Sequence, residues 1–155
     1  MKKSEIKEIR AISVAQPWAH CIVHKGKNVE NRTWITKYRG TVAIHASAAV
    51  DKDRFYWCEK DLGIKLDPED LSYGSIVGFA EIVEVITKKS VTRKTTKWFG
   101  GPYGFVLTNV VALKKPVRVK GSLGFWRLKG RLLKSCLDQV ATTRVKKFKE
   151  FRKPE

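Results

Sequence analysis

QPWAHCIVHKGKNVENRTW, Gln16 to Trp34, is the stretch from which the rest of this chain is best read. Pro17 suits the first turn of a helix, where its missing N–H would have no partner anyway, and Gln16 is then the approximate N-cap. The pattern predicts about two turns, from Trp18 to His24 or Lys25, with Gly26 as the C-terminal stop. From Val29 the period becomes two: Val29, Asn31 and Thr33 face one way, Glu30, Arg32 and Trp34 the other. One strand face thus carries a Glu, an Arg and a Trp, with Lys27 at the helix–strand junction before them. Such interleaving suggests a polar site set into an apolar wall. The residues alone leave open whether it binds, cuts or holds the fold together.

On either side the chain reads as many short strands and few helices. Ile9 to Val14, Thr41 to Ala46, Ser75 to Thr87, Phe105 to Leu113, Pro116 to Val119 and the end of Gly121 to Leu128 have strand patterns. Gly78 inside the longest of these marks a bulge or a close approach. Asp51 to Leu62 predicts a helix with Phe55, Cys58 and Leu62 on one stripe, capped by Ser47 or Asp51 and ended by Gly63. Lys88 to Lys97 reads as a loop with a helical turn. From Arg131 the tail has an amphipathic pattern through Leu132, Leu133, Cys136, Leu137 and Val140, continued less cleanly by Val145 and Phe148. With no βαβ alternation, the class is α+β with a small mixed barrel.

Length and charge narrow the possibilities. The 155 residues suffice for one domain with a proper core. Lys and Arg number 32 against 15 Asp and Glu, a net charge of +17. Residues 114–155 carry 14 of those basic and 3 of the acidic side chains. Such an imbalance points to a polyanionic partner, nucleic acid first and an anionic membrane surface second. No apolar run reaches the roughly 20 residues of a membrane span, and the basic start has no apolar segment behind it to make a signal peptide. Cys21, Cys58 and Cys136 have no CxxC spacing, which argues for reduced thiols and a cytoplasmic setting.

Four ordered pieces add what pattern does not give: Gln16-Pro17-Trp18, Lys27-Asn28-Val29-Glu30-Asn31-Arg32, Arg39-Gly40 leading into Ile44-His45-Ala46-Ser47, and Gly101-Pro102-Tyr103-Gly104-Phe105-Val106. Together they resemble the ASCH domain, the activating-signal-cointegrator homology domain of the PUA-like superfamily. One departure stands out: Lys25 takes the place of the first Gly of the family's G-x-K-x-x-E-x-R motif. The resemblance implies a PUA-like mixed β-barrel with two or three flanking helices, spanning 9–128. Residues 1–8 are then a flexible basic lead-in and 129–155 a basic C-terminal helix or tail. It also implies nucleic-acid binding, RNA ahead of DNA, in RNA metabolism, with no cofactor. Some relatives are ribonucleases, and others hydrolyse acylated cytidines with a Lys followed three positions later by a Thr. Here that position is Glu30, so the amidohydrolase activity does not carry over.

The candidate cleft is Gln16, Trp18, Lys27, Glu30, Arg32 and His45. Lys27 supplies a point charge and a proton donor, Glu30 a base, and Arg32 a bidentate phosphate fork. The alternative for the charged trio is an ion-pair network that only holds the strand. A catalytic version, a metal-independent ribonuclease or modified-nucleoside hydrolase, would use Lys27, Glu30 and His45. His20, Cys21 and His24 share a helix, but a zinc site needs about four ligands and no second cluster accompanies them. For phosphate contact the candidates are Arg93, Lys94, Lys97, Lys115, Arg118, Lys120, Arg131, Lys134, Arg144, Lys146 and Lys147. Trp98 is a base-stacking candidate beside them, and Lys149, Arg152 and Lys153 extend the tail.

Overall fold

A computed structural model gives the fold and describes residues 2–148. Lys149, Arg152 and Lys153 lie outside the described residues. The strands are β1 (Glu8–Val14), β2 (Val29–Arg32), β3 (Gly40–Ala46), β4 (Ser75–Ile86), β5 (Tyr103–Arg118) and β6 (Phe125–Lys129). The helices are α1 (Trp18–His24), α2 (Lys52–Leu62), α3 (Gly130–Leu137) and α4 (Thr142–Val145). The six strands form one mixed sheet in the order β2-β5-β4-β3-β1-β6, in which β1 and β3 are parallel and the other neighbours antiparallel.

The sheet is α+β as expected, but it does not close into a barrel: β2 and β6 are its edges, with no ladder between them. Side chains fill the gap instead. The Trp34 ring lies 5.2 Å from both Phe105 on β5 and Phe125 on β6, edge to face with each. Arg32 Nη2 donates to the Ser13 carbonyl on β1 at 2.6 Å. Register shifts along the β4–β5 pair introduce the bends that let the sheet curl this far.

One of those shifts explains a second difference. The two strands expected around Phe105–Leu113 and Pro116–Val119 are one long strand, β5. Its pairing jumps from Gly78↔Ala112 to Ile76↔Val117, so Leu113–Pro116 bulge out of the ladder. Proline, which has no N–H to give to a ladder, is accommodated in such a bulge. The amphipathic tail is likewise two helices, not one, separated at Asp138–Ala141. In that break the Gln139 side chain bonds both backbone groups of Lys115.

Burial follows strand alternation. Ile12, Val14, Val42 and Ile44 face a core shared with Ala19 and Ile22 of α1, Tyr38, Phe105 and Leu107. Ile9, Ala11, Ala43 and Phe79 face the other side, covered by Leu133, Cys136 and Leu137 of α3 and by Val145 and Phe148. Ile6 ahead of β1 is buried in that second cluster. Leu132, counted with the apolar stripe of the tail, is exposed. A third cluster joins α1 and α2 through Cys21 and Cys58, with Val29, Ile86 and Trp98.

Candidate functional site

The helix–strand unit forms for the reasons its sequence offers. Gln16 is buried and spans two elements: its Oε1 accepts from the His20 N–H at 2.9 Å, and its Nε2 donates to the Ser72 carbonyl at 2.9 Å. Gly26 takes φ +72°, the left-handed turn that ends α1. The Lys27 N–H then returns to the Cys21 carbonyl, and the chain enters β2.

Lys27, Glu30 and Arg32 form a line running from the interior outward. Lys27 is 4% exposed. Its Nζ donates to the Val29 carbonyl and lies 3.7 Å from Glu30 Oε1. Burial pushes the Lys27 ammonium below its ordinary value, and the Glu30 carboxylate opposes that. Glu30 Oε2 in turn accepts from Arg32 Nη2 at 2.9 Å. Both Arg32 bonds, to Glu30 and to Ser13, go through Nη2, so its Nη1 and Nε carry neither. Arg32 is the outermost member, with its side chain 20% exposed.

That guanidinium lines an open pocket of about 400 Å³. Trp18 and Trp34 supply aromatic walls, and Glu30, Asn31 and Ser47 add polar atoms. The size lies within the range of small-ligand sites. Asn31, on the other face of β2, anchors the adjoining loop: its Nδ2 donates to the Trp98 carbonyl, and its Oδ1 accepts from Gly100 and Gly101 N–H at 2.8 and 3.1 Å.

The remaining cleft candidates are elsewhere. Gln16 lies against the segment before β4. His45 projects to the α3 side of the sheet, next to Ser13, and does not line the pocket. Its Nε2 is 2.7 Å from the Val119 carbonyl, which only accepts, so Nε2 carries the proton. Nδ1 then accepts from Ser13 Oγ at 3.0 Å, and that hydroxyl receives the Trp126 indole N–H at 3.1 Å. Burial holds the imidazole below its ordinary value, with the Val119 bond opposing. Gly121 closes over it: a Cβ there would come within 2.6 Å of the ring.

Trp98 is only 8% exposed, and its ring sits between two lysines, with Lys97 Nζ 5.0 Å and Lys27 Nζ 5.9 Å from its centroid. It packs in the third cluster with Cys21, Val29, Cys58 and Ile86. The basic candidates occupy three regions: Arg93, Lys94 and Lys97 after β4, Lys115, Arg118 and Lys120 at the end of β5, and the rest on or after α3. Lys134 pairs with Asp138 at 2.7 Å, and Arg144 Nη2 donates to the Val110 carbonyl at 2.7 Å. None of them lines the Arg32 pocket.

The sequence does not single out Ser13, and it offers Ser47 only as a cap for α2 and within a family motif. Ser13 and Ser47 reach the site through the parallel β1–β3 pairing, a contact between distant segments that no local pattern announces. Among the described residues, no three His, Cys, Asp or Glu side chains group as a metal site would need, and no helix is long and apolar enough to cross a membrane.

Comparison with known proteins agrees with this geometry. Residues 12–116 match the ASCH domain family. Human Activating signal cointegrator 1 is 24% identical over 131 residues, covering 78% of this chain and 22% of that protein. The mouse protein of the same name is 21% identical over the same shares. The chain therefore spans about a fifth of the length of these curated relatives. The motif-bearing helix–strand unit, the curled mixed sheet and a family match over more than half the sequence agree, and the chain belongs to the ASCH domain family.

Proposed function

We propose that this protein binds nucleic acid, RNA ahead of DNA, as a cytoplasmic component of RNA metabolism. Its Arg32 pocket takes one unstacked base or phosphate, and its basic surface holds the backbone. The observation that carries this reading is the Arg32 guanidinium, held through one nitrogen by Glu30 and the Ser13 carbonyl and set beside two tryptophans in an open pocket. A fixed guanidinium with unspent donors suits a phosphate or the polar edge of a base. Indole walls suit a base that has left its stack, each such contact being worth about 1–3 kcal/mol. Lys27 and Glu30 are then positioning residues: Lys27 holds Glu30, and Glu30 aims Arg32. The net charge of +17 supplies long-range attraction, and three free cysteines accord with a reducing compartment.

Titration against matched single- and double-stranded RNA and DNA at several salt concentrations tests this. The expected result is binding whose logarithm falls steeply with the logarithm of salt, by about 0.7 to 0.9 per phosphate contacted. Arg32→Ala should weaken it by about tenfold or more. Affinity indifferent to salt, or untouched by Arg32→Ala in a folded protein, would refute the reading.

A further inference from the structure

On the opposite side of α1 from the Arg32 pocket, two depressions of about 230 and 270 Å³ adjoin between α1 and β5. They share Val23 and His24, so they read as one trough with a low divide. At about 100° per residue, Trp18 and the His20/His24 pair project from opposite faces of the helix. The floor is apolar, with Val23, Leu107 and Leu113. The walls are not. His20 and His24 stand with ring centroids 4.7 Å apart, and Lys114 lies beside them in the first depression. Lys27 and Val110 line the second. Asp70 is the single acid among the lining residues.

We infer that this trough is a second anion site, taking two phosphates of a nucleic-acid backbone on His20, His24 and Lys114. It rests on the proposed nucleic-acid binding for the identity of its ligand, but not on the Arg32 pocket. Charge complementarity chooses the occupant. Imidazole and ammonium groups around a shallow apolar floor match a chain of phosphates better than an apolar helix. Burial, His24 and Lys25 together push the His20 imidazole below its ordinary value, so His20 is a neutral donor at neutral pH. A bound phosphate reverses that balance. Lys25 on α1 and Lys114 on β5 oppose a charge on His20, while Asp70, from the segment before β4, favours it. Affinity therefore rises as the pH falls below 6.5, the ordinary histidine value.

The test uses the full chain and a single-stranded RNA of about ten nucleotides. His24→Gln combined with Lys114→Ala alters exposed side chains, and circular dichroism establishes that the variant is folded. The trough predicts about tenfold weaker binding and a salt slope shallower by about 0.7, the one phosphate that Lys114 neutralises on a single strand. It also predicts that RNA moves the imidazole proton resonances of His20 and His24, with His20 titrating at higher pH. Arg32→Ala should leave those resonance shifts intact, which separates failure of the pocket from failure of the trough. Unmoved histidine signals at saturating RNA, or an unchanged salt slope in the folded double variant, would overturn the inference. So would polyglutamate producing the same shifts at equal charge concentration, since that points to an acidic protein partner.

Discussion

Glu30 is the residue on which most local energetics turn. It is 8% exposed and faces two cations, one of them the almost fully buried Lys27. Removing one member of a buried charged pair costs far more than removing both, because the survivor keeps its desolvation penalty. Glu30→Ala strands Lys27 and releases Arg32, so the expected loss is about 3–5 kcal/mol. Lys27→Met should cost clearly less, since Glu30 keeps Arg32 and the methionine fills the same space. Urea denaturation at neutral pH gives both numbers, and equal losses would dismiss the one-way chain from Lys27 to Arg32. Cys136 offers a different test at the same scale. Burial pushes its thiol from 9.0 up to about 12. A group whose folded pKa is raised contributes stability that is intact below the unfolded value and lost as pH rises through the folded one. Stability should therefore decline between pH 9.0 and about 12. Cys136→Ala should flatten that decline, and an identical slope in the two proteins would count against it. Cys21, also raised to about 12, contributes to the slope that remains, as do Cys58 and Tyr73, which burial raises too.

Among the elements, α1 and the sheet approach each other closely at Gly78. A Cβ on Gly78 of β4 would lie 2.6 Å from Val23 Cγ1 on α1 and 2.5 Å from the Val111 carbonyl on β5. A backbone oxygen cannot swing aside as a long side chain does. Gly78→Ala should therefore destabilise by about 1–3 kcal/mol, the usual cost of overpacking, and displace α1 with its histidines. A thermal melt matching the wild type would contradict this. That glycine was legible beforehand as a bulge or close approach, as was α2, where Asp51 caps the helix and Gly63 ends it at φ +68°. Local chemistry announces such features within a few residues. β5 reads from sequence as two strands, and only the register with β4 reveals the bulge that joins them around Pro116. The family resemblance, not the strand's own pattern, puts His45 in the cleft. Its partners Ser13, Val119 and Trp126 come from three other segments, and only their assembly shows both ring nitrogens occupied. Arg32 and Trp18 needed no such long-range information, since one helix–strand unit carries both.

Across the whole molecule, a charge of +17 acts on folding and on binding with opposite sign. Five ion pairs join described residues, and three of them, Arg54–Asp51, Arg127–Glu8 and Lys134–Asp138, are well exposed. Exposed pairs contribute little, about 0–1 kcal/mol each, so most of the excess cations repel one another across the surface. Salt shortens the reach of that repulsion, with a Debye length of about 10 Å at 0.1 M and 3 Å at 1 M. Screening should therefore raise the melting temperature of the free protein as sodium chloride goes from about 0.05 to 0.5 M. Over the same range it should weaken nucleic-acid binding by several powers of ten if six or more phosphates are contacted. The Glu30–Arg32 contact is short and partly buried, so the pocket should persist through this series while the attraction to a distant polyanion fades. Melting curves and binding isotherms collected on one salt series provide the check. A melting temperature that falls with salt would mean that attractive pairs dominate the folded surface, and the charge excess would then need another explanation than a polyanionic partner.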